Sequence, residues 1–277
     1  MSPRFLVVGH VVQDVVPGGW RLGGTAAYAG LMAFRLGMEV AIVTSATCLP
    51  SELEGLDVHI VPSPLNTRFR NIYEGGTRRQ VVESLARPIS ARHIPPKFKS
   101  AEVVLLGPVM GEVSPRLARL FPSSIVGGCL QGWLRRLGPG GEVGRRRPPQ
   151  NLAPFKAVFL SDEDLDPWEG RTILHRWAAQ VPIVAYTRGE RGAEVAWNGH
   201  WRHIGAFPAR VVDPTGAGDV FAAAFLVALY EGTDPFEAAR FASAAASLVV
   251  EQEGVRGVPW RQAVEARLRA YPHVGCH

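Results

Sequence analysis

Lysine is nearly missing from this chain. Lys97, Lys99 and Lys156 are its only three among 30 basic side chains, the other 27 being arginine. None of the three follows a glycine, so the Gly-Lys pair of a P-loop is absent and a P-loop NTPase is excluded. Cysteine is almost as scarce. Cys48, Cys129 and Cys276 are far apart, with no CxxC and no His/Cys cluster, which argues against a disulfide framework and a zinc site. No long hydrophobic run exists: the longest, Val220 to Tyr230, has 11 residues, too few to cross a bilayer. The start, Met1 to Gly9, has one Arg and a short apolar run soon followed by Asp14, the pattern of a first strand rather than a signal peptide. A cytoplasmic protein with no membrane partner is the expectation. The first strand is not followed by GxGxxG, and HExxH and GxSxG do not occur, which disfavours dinucleotide, zinc-protease and serine-hydrolase chemistry. The net charge of +5 is spread along the chain, and its densest run, Arg145-Arg146-Arg147, has no interleaved aromatics, so it reads as a solvated loop and no nucleic-acid partner is expected.

What is present is enough for one large α/β domain: 277 residues, 47% hydrophobic and 20% charged. Short apolar runs rich in β-branched residues recur at Phe5–Val8, Val40–Thr44, Val103–Leu106, Ala157–Leu160 and Ile183–Tyr186. Each is bounded by Gly, Pro or Ser, as strands buried on both faces are. Between the first two, Gly23-Gly24 opens and Gly37 closes an apolar segment, Thr25–Leu36, that reads as a helix. Alternating strands and helices imply a doubly wound, mostly parallel sheet sandwiched by helices. Thr67 to Leu85 breaks the pattern by alternating, turning at Gly75-Gly76 and resuming near Gln80–Val82, the signature of a β-hairpin that either projects as a small lid or is an edge hairpin with no functional role. Gly138–Pro149 reads as a loop. Asp234-Pro235-Phe236-Glu237 supplies a cap, a proline and an acid for a helix running to about Glu251. There are no internal repeats and no dividing linker.

The chemistry concentrates in Val211-Val212-Asp213-Pro214-Thr215-Gly216-Ala217-Gly218-Asp219-Val220-Phe221. A strand end, a turn of small residues and an apolar helix follow one another there. Backbone N–H groups at a helix start have no internal partner and lie at the positive end of the dipole, so Gly216, Ala217 and Gly218 form an anion hole suited to a phosphate. Asp219 lies in the same first turn. Taken alone, such a turn is more often a tight bend with a helix-capping acid. A carboxylate beside an anion hole makes chemical sense if it faces an incoming hydroxyl while the N–H groups hold a transferring phosphoryl group.

Asp213-Pro214-Thr215-Gly216-Ala217-Gly218-Asp219 resembles the DTGAGD signature of the PfkB/ribokinase family of carbohydrate kinases. Gly9, Asp14 and Gly23-Gly24 ahead of a helix resemble that family's N-terminal motif, and Thr187-Arg188-Gly189-Glu190-Arg191-Gly192 its TxGxxG segment. The three occur in the family's order over residues 9 to 219. The resemblance implies a single ribokinase-like domain over 1–277, with a small β lid inserted around 65–87. It implies an ATP-dependent kinase that moves the γ-phosphoryl group to a hydroxyl of a small polyol, whether sugar, cyclitol or nucleoside. Asp219 is then the base and Gly216, Ala217 and Gly218 the anion hole. Asp14, Gly23 and Gly24 contact the acceptor, and Thr187, Gly189 and Gly192 the ATP, with Ser243 and Ala246 on the helix against the adenine. ATP and Mg²⁺ are the implied cofactors, monovalent-cation dependence stays open, and so does the choice between monomer and homodimer.

The sequence departs from the family in two places. Tyr28 stands where Asn is common, one helical turn after the glycine pair, so a polar acceptor contact is lost or replaced. The NxxE motif that organises Mg²⁺ through water is represented by Ser161-Asp162-Glu163-Asp164, with Ser161 and Asp164 at the two positions and Glu163 as another candidate. Gln131 and Arg135, after a strand-like run, are candidates to reach the acceptor. Asp219, at a helix N-terminus, is expected to be a weak base. A non-catalytic sugar or nucleoside sensor on the same fold is the alternative function; the intact Asp219 and glycines weigh against it.

Overall fold

The first strand, β1 (Phe5–Val8), is buried along its whole length because it is central to a nine-stranded sheet and has no solvent face. The computed structural model describes residues 3–74, 77–165 and 170–275, and only the backbone of Tyr73, Glu74, Thr77 and Arg78. The Gly75-Gly76 turn, the Tyr73 side chain and Cys276 lie outside the described residues.

After β1 the chain forms β2 (Val12–Val16), β3 (Gly19–Gly23), α1 (Thr25–Arg35), β4 (Val40–Ala46) and β5 (Asp57–Pro62). Then come β6 (Thr67–Glu74), β7 (Thr77–Ser84), β8 (Val103–Leu106), β9 (Ile125–Cys129), β10 (Arg135–Leu137) and β11 (Val143–Arg145). The remainder is β12 (Ala157–Ser161), α2 (Gly170–Ala178), β13 (Ile183–Thr187), β14 (Ala193–Trp197), β15 (His200–Ile204), α3 (Ala217–Tyr230), α4 (Pro235–Val249) and α5 (Arg261–Ala270).

The main sheet runs β15-β14-β13-β12-β9-β8-β1-β4-β5. From β13 to β5 every pairing is parallel, and β14 and β15 add an antiparallel edge. Alternation in β1 sorts the two faces. Phe5 and Val7 join the core under α1, α3 and α4, whereas Leu6 and Val8 join the core under α2. The first of these layers is dense. In α3 the run Val220–Ala228 is wholly buried, with Phe225 edge-on to Phe159 at 5.4 Å. The second layer is thinner than a helical sandwich implies. Between β4 and β12 the described connections hold short 3-10 turns, such as Ala91–His93, Pro96–Phe98 and Pro115–Leu120, and the prolines there block longer helices.

A separate four-stranded sheet, β3-β2-β6-β7, stands beside the carboxyl ends of the parallel strands. The hairpin expected around 65–87 is its second half; β2 and β3, from before α1, are its first half, with β2 parallel to β6. Phe69, Val12 and Val82 of this sheet bury a small apolar cluster with Val109, just past β8. The stretch Gly138–Pro149, read as a loop, is corrected in part: β11 pairs with β10 as a hairpin. Three-residue polar strands carry no periodicity to read. The hairpin braces β7 through a Val81–Glu142 bridge and an Arg79–Glu142 ion pair of 2.6 Å.

Candidate active site

Parallel strands all end on one side, and in open α/β sheets that edge is where ligands bind. Here it gathers the segments after β1, β8, β9, β12 and β13, together with the start of α3.

At that start Gly216 caps α3 with φ 81°, a left-handed conformation that favours glycine. A side chain there would also collide with Tyr28, whose ring lies 2.3 Å from the position of an added Cβ. Tyr28, 1% exposed, is therefore a prop under the turn rather than a group open to an acceptor. The Ala217 N–H bonds back to Pro214 O at 3.3 Å, while space beside Gly218 is open, with nothing within 4 Å of an added Cβ. Asp213 braces the turn from behind, accepting from Thr215 N at 3.0 Å and Gly254 N at 3.2 Å.

Asp219 accepts a 2.7 Å hydrogen bond from the hydroxyl of Thr25, the first residue of α1. Thr25 is a site residue that sequence reading used only as a helix start; its place straight after Gly23-Gly24 was the available signal. The expectation that Asp219 is a weak base is overturned. Burial pushes its carboxyl up to about 6 from 3.8; the Thr25 hydrogen bond and Arg135 pull the other way, and Asp164 and Asp14 add to the rise. The helix dipole favours the anion, but withdrawal from water wins here. Asp219 as a whole residue is half-buried. The same acids act on two neighbours. Burial, then Asp213, Asp14 and Asp219, hold the Tyr28 phenol well above its usual range, against Arg21. Burial, then Asp219 and Asp164, push the Cys129 thiol up at the end of β9.

Asp14, on β2, approaches the glycine pair so closely that a Cβ on Gly23 would sit 2.1 Å from its carboxylate oxygen. Its register partner on β3 is Arg21, which forms a 3.0 Å ion pair with Glu253 and a looser 3.9 Å pair with Asp213. The small sheet is thereby tied to the turn before α3. Gln131 lies in the turn after β9 and Arg135 begins β10, where its guanidinium donates to Val109 O at 3.4 Å.

On the far side of Asp219, β12 and β13 end in register at Ser161 and Thr187. Asp164 accepts from both the N–H (2.8 Å) and the hydroxyl (3.0 Å) of Ser161. Asp162 is instead held by Arg191 of the Gly189–Arg191 turn at 2.5 Å, and Glu163 is exposed. Thr187 donates to Leu160 O at 3.3 Å, and Arg188 N donates to Gly192 O at 2.7 Å, closing the Thr187–Gly192 turn. Ser243 and Ala246 sit one turn apart in the later half of α4, which leads through Val250 back to Val212 and Asp213. No group of three His, Cys, Asp or Glu side chains converges as a direct metal-ligand set among the described residues. The Ser161 and Asp164 oxygens are hard donors suited to a hydrated Mg²⁺ held indirectly. No helix among the described residues is long and apolar enough to cross a membrane.

Residues 151–262 match the pfkB family carbohydrate kinase profile. The cytidine kinase of Thermococcus kodakarensis is 28% identical over 90% of this chain and 96% of its own length. Among solved structures, a pyrophosphate-dependent kinase of the ribokinase family, complexed with a pyrophosphate analog and myo-inositol, superposes with a TM-score of 0.76 at 22% identity, over 95% of this chain and 99% of that one. Arabidopsis thaliana ribokinase, complexed with ribose and ATP, superposes with a TM-score of 0.74 at 20% identity, over 97% and 99% of the two chains.

Proposed function

We propose that this chain, which belongs to the PfkB/ribokinase family, transfers the γ-phosphoryl group of ATP to a hydroxyl of a small polyol acceptor, with Asp219 as the base. The observation that carries this reading is one carboxylate, raised to about 6 by burial and oriented by Thr25, in the first turn of α3 beside the open Gly218. A base with a pKa near the working pH accepts a hydroxyl proton far better than an ordinary aspartate, and loses little of its ionised fraction at pH 7.

The roles of the other residues follow from their positions. Asp14 and the Gly23-Gly24 pair grip the acceptor's other hydroxyls from the small sheet, which acts as the lid of a single-domain kinase. The Gly216–Gly218 turn supplies the anion hole, with the Gly218 side open to the phosphoryl group and the Ala217 N–H already bonded back to Pro214 O. Arg135 offsets the negative charge of the Asp219 neighbourhood. The Thr187–Gly192 turn lines the nucleotide phosphates, and Ser243 and Ala246 back the adenine. Ser161 and Asp164 would hold Mg²⁺ through water, and the ion would neutralise charge on the phosphates. Positioning and charge stabilisation carry most of such a transfer.

Cytidine and myo-inositol lead the candidate acceptors. The relative similar over nearly the full length is a cytidine kinase, and a structure of the same fold is complexed with myo-inositol. The test is ADP release from MgATP across cytidine, other nucleosides, myo-inositol, ribose and fructose, with Asp219→Asn alongside. Stimulation by one acceptor, abolished in the variant, supports the proposal. ATP binding with no turnover on any acceptor would favour the sensor alternative, and no ATP binding would sink the reading.

A further inference from the structure

We infer that His10 is the pin on which the lid is set: a positioning residue that fixes where the small sheet, and with it Asp14, stands over the catalytic turn. The inference rests on the proposed lid role of that sheet.

Four passages of chain join the small sheet to the main body: β1 to β2, β3 to α1, β5 to β6, and the exit from β7. All four meet at His10, which is 0% exposed and lies on the first of them. Its ring Nδ1 is 2.7 Å from the hydroxyl of Thr67, the first residue of β6. Its Nε2 is 3.0 Å from the carbonyl oxygen of Arg87, on the exit from β7. Its own carbonyl oxygen lies under Gly24, 2.6 Å from where a Cβ would be, on the passage from β3 to α1. A carbonyl only accepts, so Nε2 carries the proton; in the neutral ring Nδ1 then accepts from Thr67. The Thr67 oxygen in turn accepts from Ala86 N at 3.0 Å, which ties the entry of β6 to the exit of β7.

The pin is anchored to the main body. His10 N donates to Glu112 Oε1 at 3.1 Å, and the same carboxylate accepts from Val109 N and Met110 N at 3.0 and 2.8 Å, all just beyond β8. Val11 N donates to the Thr44 hydroxyl of β4 at 2.8 Å. A buried, satisfied polar network at a crossing of this kind specifies one geometry, because any other leaves polar groups unpaired. Asp14 lies four residues beyond His10, on the strand that leaves the pin, so a shift in the pin is transmitted to the acceptor site.

The test compares Thr67→Val, which keeps the shape and removes the hydroxyl, with Thr67→Ser, which keeps the hydroxyl; His10→Phe is a second way to break the same bonds. Hydrogen exchange is followed by mass spectrometry on the full chain without ligand. Amides of β2 and β6 should exchange about tenfold faster in Thr67→Val and His10→Phe, with β1, β4 and β8 unchanged and Thr67→Ser close to wild type. With cytidine and myo-inositol as acceptor probes, the acceptor KM should rise about tenfold, while kcat and the KM for ATP stay within twofold. Equal acceleration in both sheets, unaltered exchange in the lid, or an unchanged acceptor KM in a variant whose lid exchanges faster would overturn the inference. The exchange readout needs no turnover, so failure of the kinase reading would leave it standing and separately measurable.

Discussion

As the proposed base, Asp219 has to be both enclosed by protein and ionised, and those demands conflict. Enclosure raises its carboxyl to about 6, so under the proposed mechanism the rate on the acceptor falls about tenfold per pH unit below about 6 as the base is protonated. Thr25 lowers that value by hydrogen bonding, hence Thr25→Val should move the acidic limb of the rate profile to higher pH. A limb that stays in place would remove Thr25 from the control of the base. Asp219→Asn should cut kcat by about 10²-fold or more. The stability effect of that variant has the opposite sign. Below 3.8 the carboxyl is protonated whether folded or unfolded; as pH rises from there to about 6 the unfolded chain ionises first and the folded state loses ground. Above about 6 the whole cost is present. Allowing for solvent at the cleft, removing the charge should stabilise by about 1 kcal/mol at pH 7.5, a Tm rise of about 2–4 °C that vanishes near pH 4. A thermal melt of the variant that falls below wild type at pH 7.5 would show that the charge is not the strained feature.

The first turn of α3 behaves as an element because three separate pieces hold it: Tyr28 beneath, Asp213 behind and Arg21 reaching across from β3. Gly216→Ala would force a side chain into a φ of 81° and into the Tyr28 ring, so it should cost about 1–3 kcal/mol and lower kcat together with Tm. Arg21→Gln touches only exposed or loosely paired charges, so its stability cost should be under about 1 kcal/mol. Its kinetic effect should be larger, since it unties the small sheet, the proposed lid, from the turn; a raised acceptor KM at unchanged Tm is the expected pattern. Much at this scale was legible in the sequence. The buried strands declared themselves as β-branched runs, α1 by its glycine boundaries and α4 by its Asp-Pro start, since each of those signals is local. What escaped notice either has a weak local signal or depends on partners distant in sequence. β2 and β3 are short and glycine-flanked; β3 pairs with β2 alone, and β2 joins the sheet by pairing with β6. The β10–β11 hairpin is polar and three residues wide. The DPTGAGD turn marked Asp219 at once, but nothing local revealed that burial would raise its pKa, that Thr25 would orient it, or that Tyr28 would be sealed beneath Gly216.

Across the whole molecule, the decisive feature is what converges on one edge of the sheet. Seven parallel strands place their carboxyl ends together, and α3 points its N-terminus at that edge from the dense helical layer, while the small sheet packs on Val109 just past β8. Two ligands filling such a cleft contact the main body and the lid at once, so each should favour the arrangement that the other needs, and their stabilisation should exceed the sum of the separate effects. Asp219→Asn makes this measurable, because it should bind both ligands while turning them over at most about a hundredth as fast. At 100 times its dissociation constant a ligand stabilises by about 2.7 kcal/mol. For a chain of this size MgATP alone should therefore raise the Tm of the variant by several degrees, and the true acceptor should add more in the presence of MgATP than in its absence. Cytidine, myo-inositol and ribose can be ranked in one melting experiment by that excess. An acceptor with a positive excess identifies the substrate class independently of catalysis. Strictly additive shifts for every acceptor that binds would mean that lid and nucleotide turn move separately, and Arg21 would then have no coupling to transmit.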